Sequence, residues 1–173
     1  MGGRQGRVRL ARLTDLAALG ELSRLSDPAG DEDGDRSVRS LGLPVSAVHV
    51  GVFSLFRMPL GALQPHDPLY VYEEGGHLAG LARVERDGAR DEWTLVELDA
   101  LDDGAAGDIR YRLVGHLLRD GAKRGAARVH VACADVHDNV EILMQAGFVR
   151  YAEEAILLRD ATAPLPDEPA DDA

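Results

Sequence analysis

Glu97 and Asp99 are the residues of this chain best placed to do chemistry. They lie two apart in Glu92-Trp93-Thr94-Leu95-Val96-Glu97-Leu98-Asp99-Ala100-Leu101, a run that reads as a strand. Strict alternation puts Trp93, Leu95, Glu97, Asp99 and Leu101 on one face and Thr94, Val96, Leu98 and Ala100 on the other. Two carboxylates on one face of a central strand are costly to bury, so that face is expected to open onto a cleft, where a carboxylate can accept a proton from a substrate. The competing reading of Glu97 is a solvent-facing or Arg-paired carboxylate.

The other reactive side chains are less promising. His49 and His130 are the other titratable candidates, but a lone His in such apolar surroundings is more often a hydrogen-bonded packing residue. His116, within a helix, and His137, at a helix start, fit surface roles. No two His residues are four apart, so metal binding has no support. Cys133 is the sole cysteine, which excludes an intrachain disulfide and a cysteine-cluster zinc site. Nothing in the sequence activates its thiol, and it reads as a small buried residue at a strand end. A Ser nucleophile elbow is absent.

The elements that must carry these residues follow from periodicity. Residues 8–13 alternate as a short strand, and Thr14 is expected to cap a helix bearing Leu16, Leu19, Leu22 and Leu25 that stops near Asp27-Pro28. Residues 29–35 read as an acidic, Gly-rich loop and 45–60 as an apolar helix broken at Pro59. Strands over 69–74 and 78–85 flank a tight Glu74-Gly75-Gly76-His77 hairpin, and a second turn leads to the strand 92–101. A loop over 102–108 precedes a helix over 109–124 with Leu113, Leu117 and Leu118 on one face and Gly125 as its stop. A strand over 128–134, a short helix over 138–146 ended by Gly147, and a strand over 151–159 complete the order. The sequence of elements is β-α-α-β-β-β-α-β-α-β. Hairpins require antiparallel neighbours and the crossover through 109–124 requires a parallel one, so the expected fold class is α/β, a mixed α+β sheet with helices on its faces.

Composition bounds the rest. The chain has 173 residues, 45% hydrophobic, enough for one core, and one domain over 1–159 is expected, followed by a disordered acidic tail over 160–173. The formal charge of -11 argues against nucleic-acid and membrane-surface partners. Five acids and no base fall in each of 27–35 and 160–173, so the remainder is nearly neutral, with twenty acids against nineteen bases. No apolar run approaches the ~18 residues of a membrane span and no signal-peptide core is present, which points to the cytoplasm.

The sequence resembles the GNAT superfamily of acyl-CoA-dependent N-acyltransferases over residues 7–159. The resemblance rests on the element order and on Arg9-Leu10-Ala11-Arg12-Leu13-Thr14-Asp15-Leu16 at the start. It also rests on the helix end Leu117-Leu118-Arg119-Asp120-Gly121-Ala122-Lys123-Arg124-Gly125, on Val129-His130-Val131-Ala132, and on Leu143-Met144-Gln145-Ala146-Gly147-Phe148. It implies that the strands 93–101 and 128–134 splay apart and that backbone groups of Leu98, Ala100 and Leu101 receive the pantetheine arm of acetyl-CoA or another acyl-CoA as co-substrate. It also implies that the loop before Ile109, with Gly104 and Gly107, sets its amides and the helix N-terminus against the pyrophosphate. Arg110 and Arg112 follow in the first helical turn. Acids on the strand of Glu97 act as general base in several members, which makes Glu97 the first candidate and Asp99 the second.

The sequence departs from the family pattern in two respects. Asp102, Asp103 and Asp108 place negative charge beside the expected diphosphate, although Asp108 also fits as an N-cap. Leu143 stands where many members have the Tyr that protonates the departing thiolate, and Tyr151 is expected to pack on the sheet rather than replace it. The implied activity is transfer of an acyl group to a small amine by direct attack on the thioester, with no covalent enzyme intermediate and no metal. The alternative is a GNAT-fold ligand-binding or interaction module without catalysis. A third reading is a homodimer built on the apolar surface of 45–60, with Phe53, Phe56 and Met58.

Overall fold

The computed structural model describes residues 6–25, 38–41, 67–102 and 104–153. The expected acidic loop 27–36, the expected apolar helix 45–60 with His49, and the expected tail 160–173 lie outside the described residues. The elements are β1 (Arg7–Leu10), a 3-10 turn (Leu13–Asp15), α1 (Leu16–Leu25), β2 (Val38–Arg39), β3 (Leu69–Glu74), β4 (His77–Asp87), β5 (Glu92–Leu101), α2 (Ala106–Lys123), β6 (Arg128–Val131) and α3 (His137–Gln145).

The described strands form one mixed sheet in the order β1-β3-β4-β5, with β2 and β6 both on the outer edge of β5. Pairs β1·β3, β3·β4, β4·β5 and β2·β5 are antiparallel, and β5·β6 is parallel. The hairpin between β3 and β4 turns at Gly75 and Gly76, both at positive φ (58° and 83°) as a two-residue turn with the strands' own twist requires. One face of the sheet, built from Tyr70, Tyr72, Ala82, Val84, Trp93, Leu95, Leu98 and Ala100, packs under Ile109, Leu113 and Leu117 of α2. The other face, built from Leu69, Val71 and Leu81, packs under Leu19 and Leu22 of α1. Gly80 sets how closely α2 approaches. A Cβ there would stand 2.7 Å from Ile109 Cγ2 and 2.8 Å from the Asp99 carbonyl.

Several expectations are corrected. β2 is an additional strand absent from the expected order. Residues 151–153 are irregular rather than the start of a last strand, and Tyr151, although 78% exposed, sets its ring edge-on against His130 of the sheet, 6.1 Å between centroids. Thr14 does not cap α1. It lies within the 3-10 turn, which Arg12 and Asp15 close reciprocally: the Asp15 carboxylate accepts the Arg12 backbone N–H at 2.7 Å, and the Asp15 N–H donates to the Arg12 carbonyl at 2.9 Å. Asp15 also accepts two bonds from the Arg9 guanidinium, at 2.6 and 2.9 Å, and Arg9 in turn donates to Glu73 at 2.5 Å. These bonds tie the start of α1 to β1 and β3, and those from Arg9 hold the Asp15 carboxyl below its ordinary range.

A folded-state pKa held below the unfolded one adds stability that is present above the ordinary carboxylate range and is lost as pH falls through the folded value. Asp15→Asn is therefore expected to cost about 1–2 kcal/mol at neutral pH, the scale of a lost cap. The gap from wild type should close in acid, as followed by urea denaturation at a series of pH values.

The strand carrying the candidate base is not regular. Arg83 pairs with Glu97, but the next residue, Val84, pairs with Leu95, so Val96 is an extra residue in β5. This bulge overturns the strict alternation expected of residues 92–101. Trp93 and Leu95 join Leu98 and Ala100 under α2, whereas Glu97 and Asp99, opposite Arg83 and Leu81, lie on the α1 face. Without the extra residue, the two apolar pairs would fall on opposite faces.

Candidate active site

The bulge directs Glu97 into a partly enclosed position. Its side chain is 19% exposed, and Arg83 Nε donates to its Oε2 at 3.2 Å while Arg83 Nη1 donates to Glu85 at 3.0 Å. Burial pushes the Glu97 carboxyl above its ordinary range, and the Arg83 charge and hydrogen bond oppose that rise without cancelling it. Glu97 is thus both an Arg-paired carboxylate and one with raised basicity. Asp99 is buried at 3% exposure.

The outer edge of β5 is shared between two partners. The parallel ladder with β6 ends at the pair Leu95 and Val131, and the antiparallel ladder with β2 begins at Ala100 and Arg39. Between them, over Val96 to Leu98, no strand among the described residues pairs with that edge. Of the backbone positions expected to receive a pantetheine arm, Leu98 adjoins this gap, while Ala100 and Leu101 pair with β2.

Residues 38–41 are fastened along this edge and beyond it. The Leu41 carbonyl accepts from the Ala134 N–H at 2.8 Å and from Asn139 Nδ2 at 3.0 Å, and Leu41 is 4% exposed within the core under α2. Arg110 Nη2 donates to Asn139 Oδ1 at 2.5 Å and to the Ser40 carbonyl at 3.4 Å. Arg110 and Asn139 are 1% and 2% exposed, and burial lowers the pKa of Arg110. Arg39 forms an ion pair with Asp102 at 3.0 Å and another with Asp138. Sequence periodicity did not reveal this assembly. Residues 38–41 are too few for a pattern, and Asn139 shows its role only once α3 is docked on α2.

At the expected pyrophosphate end, α2 begins at Ala106, three residues before the expected start. Gly104 turns the chain at φ 82°, and Ala105 is the N-cap without a side-chain bond. Gly107 and Asp108 therefore lie inside the first turn, and Ile109 is 1% exposed in the core. Asp108 is not the cap. It forms an ion pair with Arg112, one turn later, at 2.8 Å. A groove of about 380 Å³ adjoins this turn, lined by Arg39, Gly107, Asp108 and Arg110 and, from α3, Asp138 and Glu141. Its walls carry charges of both signs, and both Arg110 and Arg112 already have acceptors.

The remaining candidates are accounted for by local contacts. The thiol of Cys133 is pushed up by burial, away from thiolate character. His116 packs edge-on against Tyr70, 5.4 Å between ring centroids, and burial lowers its pKa, so its expected surface role is corrected to a partly buried one. His130 stands 3.6 Å from Glu92, and His137 lies 3.2 Å from Glu141. Leu143 is buried at 5% exposure. Among the described residues no group of three or more His, Cys, Asp and Glu could hold a metal ion, and no helix is long and apolar enough to cross a membrane.

No protein-family model matches the chain, and no curated protein matches it in sequence. Solved structures do. An acetyltransferase of Trypanosoma brucei superposes with a TM-score of 0.62 at 13% identity, over 90% of this chain and 100% of the other. The aminoglycoside N-acetyltransferase AAC(6')-Iy in complex with CoA gives 0.59 at 15% identity, over 92% and 97%. The ribosomal-protein-S18-alanine N-acetyltransferase of Escherichia coli gives 0.61 at 15% identity, over 86% and 80%. With a mixed sheet, a β5 edge that parts from β6 after Leu95, and helices on both faces, the chain has the fold of the GNAT acetyltransferases.

Proposed function

We propose that the protein is an acyl-CoA-dependent N-acyltransferase that transfers an acyl group to a small amine by direct attack. The observation that carries this reading is the half-enclosed Glu97, raised in basicity and set by the bulge beside the stretch of β5 edge from which β6 has parted. An acyl-CoA supplies the activated thioester. Backbone groups of Leu98, Ala100 and Leu101 would hold its pantetheine arm as an added strand, and the turn from Gly104 through Gly107 and Ile109 would face its diphosphate. The chemistry of these donors suits the ligand, although β2 lies across part of the same edge.

An amine must lose a proton to become a nucleophile, and Glu97 is the proton acceptor. Burial supplies the basicity that an exposed carboxylate lacks, while Arg83 fixes the orientation of Oε2 and, by its charge and hydrogen bond, favours the ionised carboxylate against that rise. Asp99, buried on the same face, is the second carboxylate of the site. Leu143 cannot donate a proton, so none is assigned to it.

Calorimetric titration with acetyl-CoA and with longer acyl-CoAs tests the reading, and saturable binding is expected. No binding up to about millimolar, the weak end of substrate affinities, would instead favour the fold serving as a non-catalytic module. The mixed charge around the groove at α2 is the observation on that side.

A further inference from the structure

Residues 38–41 do what an extended ligand would do at this site. They add a strand to β5 at Ala100 and Leu101, present two carbonyls to buried donors, and insert Leu41 into the core under α2. The donors are unusual. Arg110 and Asn139 are almost fully buried polar side chains that bond to each other and to the carbonyls of Ser40 and Leu41. Burying such groups is costly unless they are given acceptors, and residues 38–41 supply one to Asn139 Nδ2 and one to Arg110 Nη2, while the buried Arg110 Nε has no hydrogen-bond partner among the described residues. Within the strand, Arg39 forms ion pairs with both Asp102 and Asp138, the latter at the wall of the groove.

We infer that residues 38–41 form an intramolecular strap that competes with the pantetheine arm of an acyl-CoA for the β5 edge, so that the two occupy it in turn. The inference rests on the acyltransferase reading above. Ala100 and Leu101 have one outer edge, and a second strand cannot pair there while β2 does. Departure of the strap would free the edge together with Asn139 and Arg110, whose donors suit the amide carbonyls of a pantetheine as well as those of a peptide. It would also take Arg39 away from Asp102 and Asp138, and the loss of those pairs is part of the cost of opening. Binding therefore requires the strap-open state, and apparent affinity is reduced by the fraction of molecules that are open.

The test uses the full chain and acetyl-CoA. Leu41→Ala removes the apolar anchor of the strap and leaves Glu97 and the β5 backbone unchanged. Titration calorimetry should show acetyl-CoA binding at least tenfold more tightly to Leu41→Ala than to wild type. In wild type, saturating acetyl-CoA should speed hydrogen exchange of the amides of residues 38–41, where a strap unconnected to the site would show no change or added protection. Equal affinities together with unchanged exchange would overturn the competition and leave the acyltransferase reading intact. Absence of binding to both proteins would overturn that reading and the strap inference with it. Should Leu41→Ala fail to fold, exchange in the wild type decides alone.

Discussion

Glu97→Gln is expected to lower kcat/KM for acyl transfer at neutral pH by tenfold or more, within the roughly 10²–10⁴-fold that a positioned general base supplies. Gln keeps the size and one acceptor oxygen for Arg83 but cannot take the amine's proton. The pH profile provides the sharper readout. Burial raises the Glu97 carboxyl, so wild-type activity should rise with pH along an acid limb displaced upward from the ordinary carboxylate range. That limb should vanish in Glu97→Gln. Arg83 opposes the rise, and Arg83→Met should therefore move the limb further up. An unchanged rate and an unchanged profile in Glu97→Gln would remove Glu97 from the mechanism.

The second large effect concerns stability and lies on the opposite face of the same strand. Trp93 is 1% exposed, its ring touches the backbone of α2 at Gly121, where a Cβ would come within 3.2 Å of it, and the Arg86 guanidinium lies 5.6 Å from the ring centroid. Trp93 also pairs with Arg86 on β4 and Val129 on β6, so the indole fills the junction of β4, β5, β6 and the end of α2. Trp93→Ala is expected to cost about 3–5 kcal/mol, the scale of deleting a buried aromatic residue and leaving a cavity. Urea denaturation should show a lower midpoint with an unchanged slope. Because the bulge at Val96 places Trp93 and Glu97 on different faces, the folded fraction of Trp93→Ala should retain its turnover. Glu97→Gln should show the converse, lost turnover with little change in midpoint.

These contrasts show which parts of the molecule were legible in the chain. The boundaries 92–101 and 69–74 came directly from β-forming runs bounded by turn residues, and Gly75-Gly76 marked its hairpin because few other dipeptides accept positive φ twice. The crossover helix was legible from Leu113, Leu117 and the Gly125 stop. Its start was not, since Ala106 and Gly107 carry no pattern and Asp108 resembled a cap. The bulge left a signal that strict alternation concealed. Trp93 and Leu95 are odd, whereas Leu98 and Ala100 are even, and only an extra residue brings all four under one helix.

The sequence by itself determined the mixed sheet, the crossover, and a pair of acids on one of its interior strands, because these follow from local periodicity and from residues two or four apart. Tertiary structure alone decided which face those acids take, how far Glu97 is buried, and what covers the β5 edge. Those outcomes depend on contacts between distant segments: Arg83 with Glu97, Asn139 with Leu41, Arg39 with Asp102 and Asp138. Of the acids that looked like an obstacle to a diphosphate, Asp108 pairs with Arg112 one turn on, whereas Asp102 is paired in the folded chain with Arg39, more than sixty residues away in sequence. No local pattern encodes that pairing, because it exists only when residues 38–41 lie along β5.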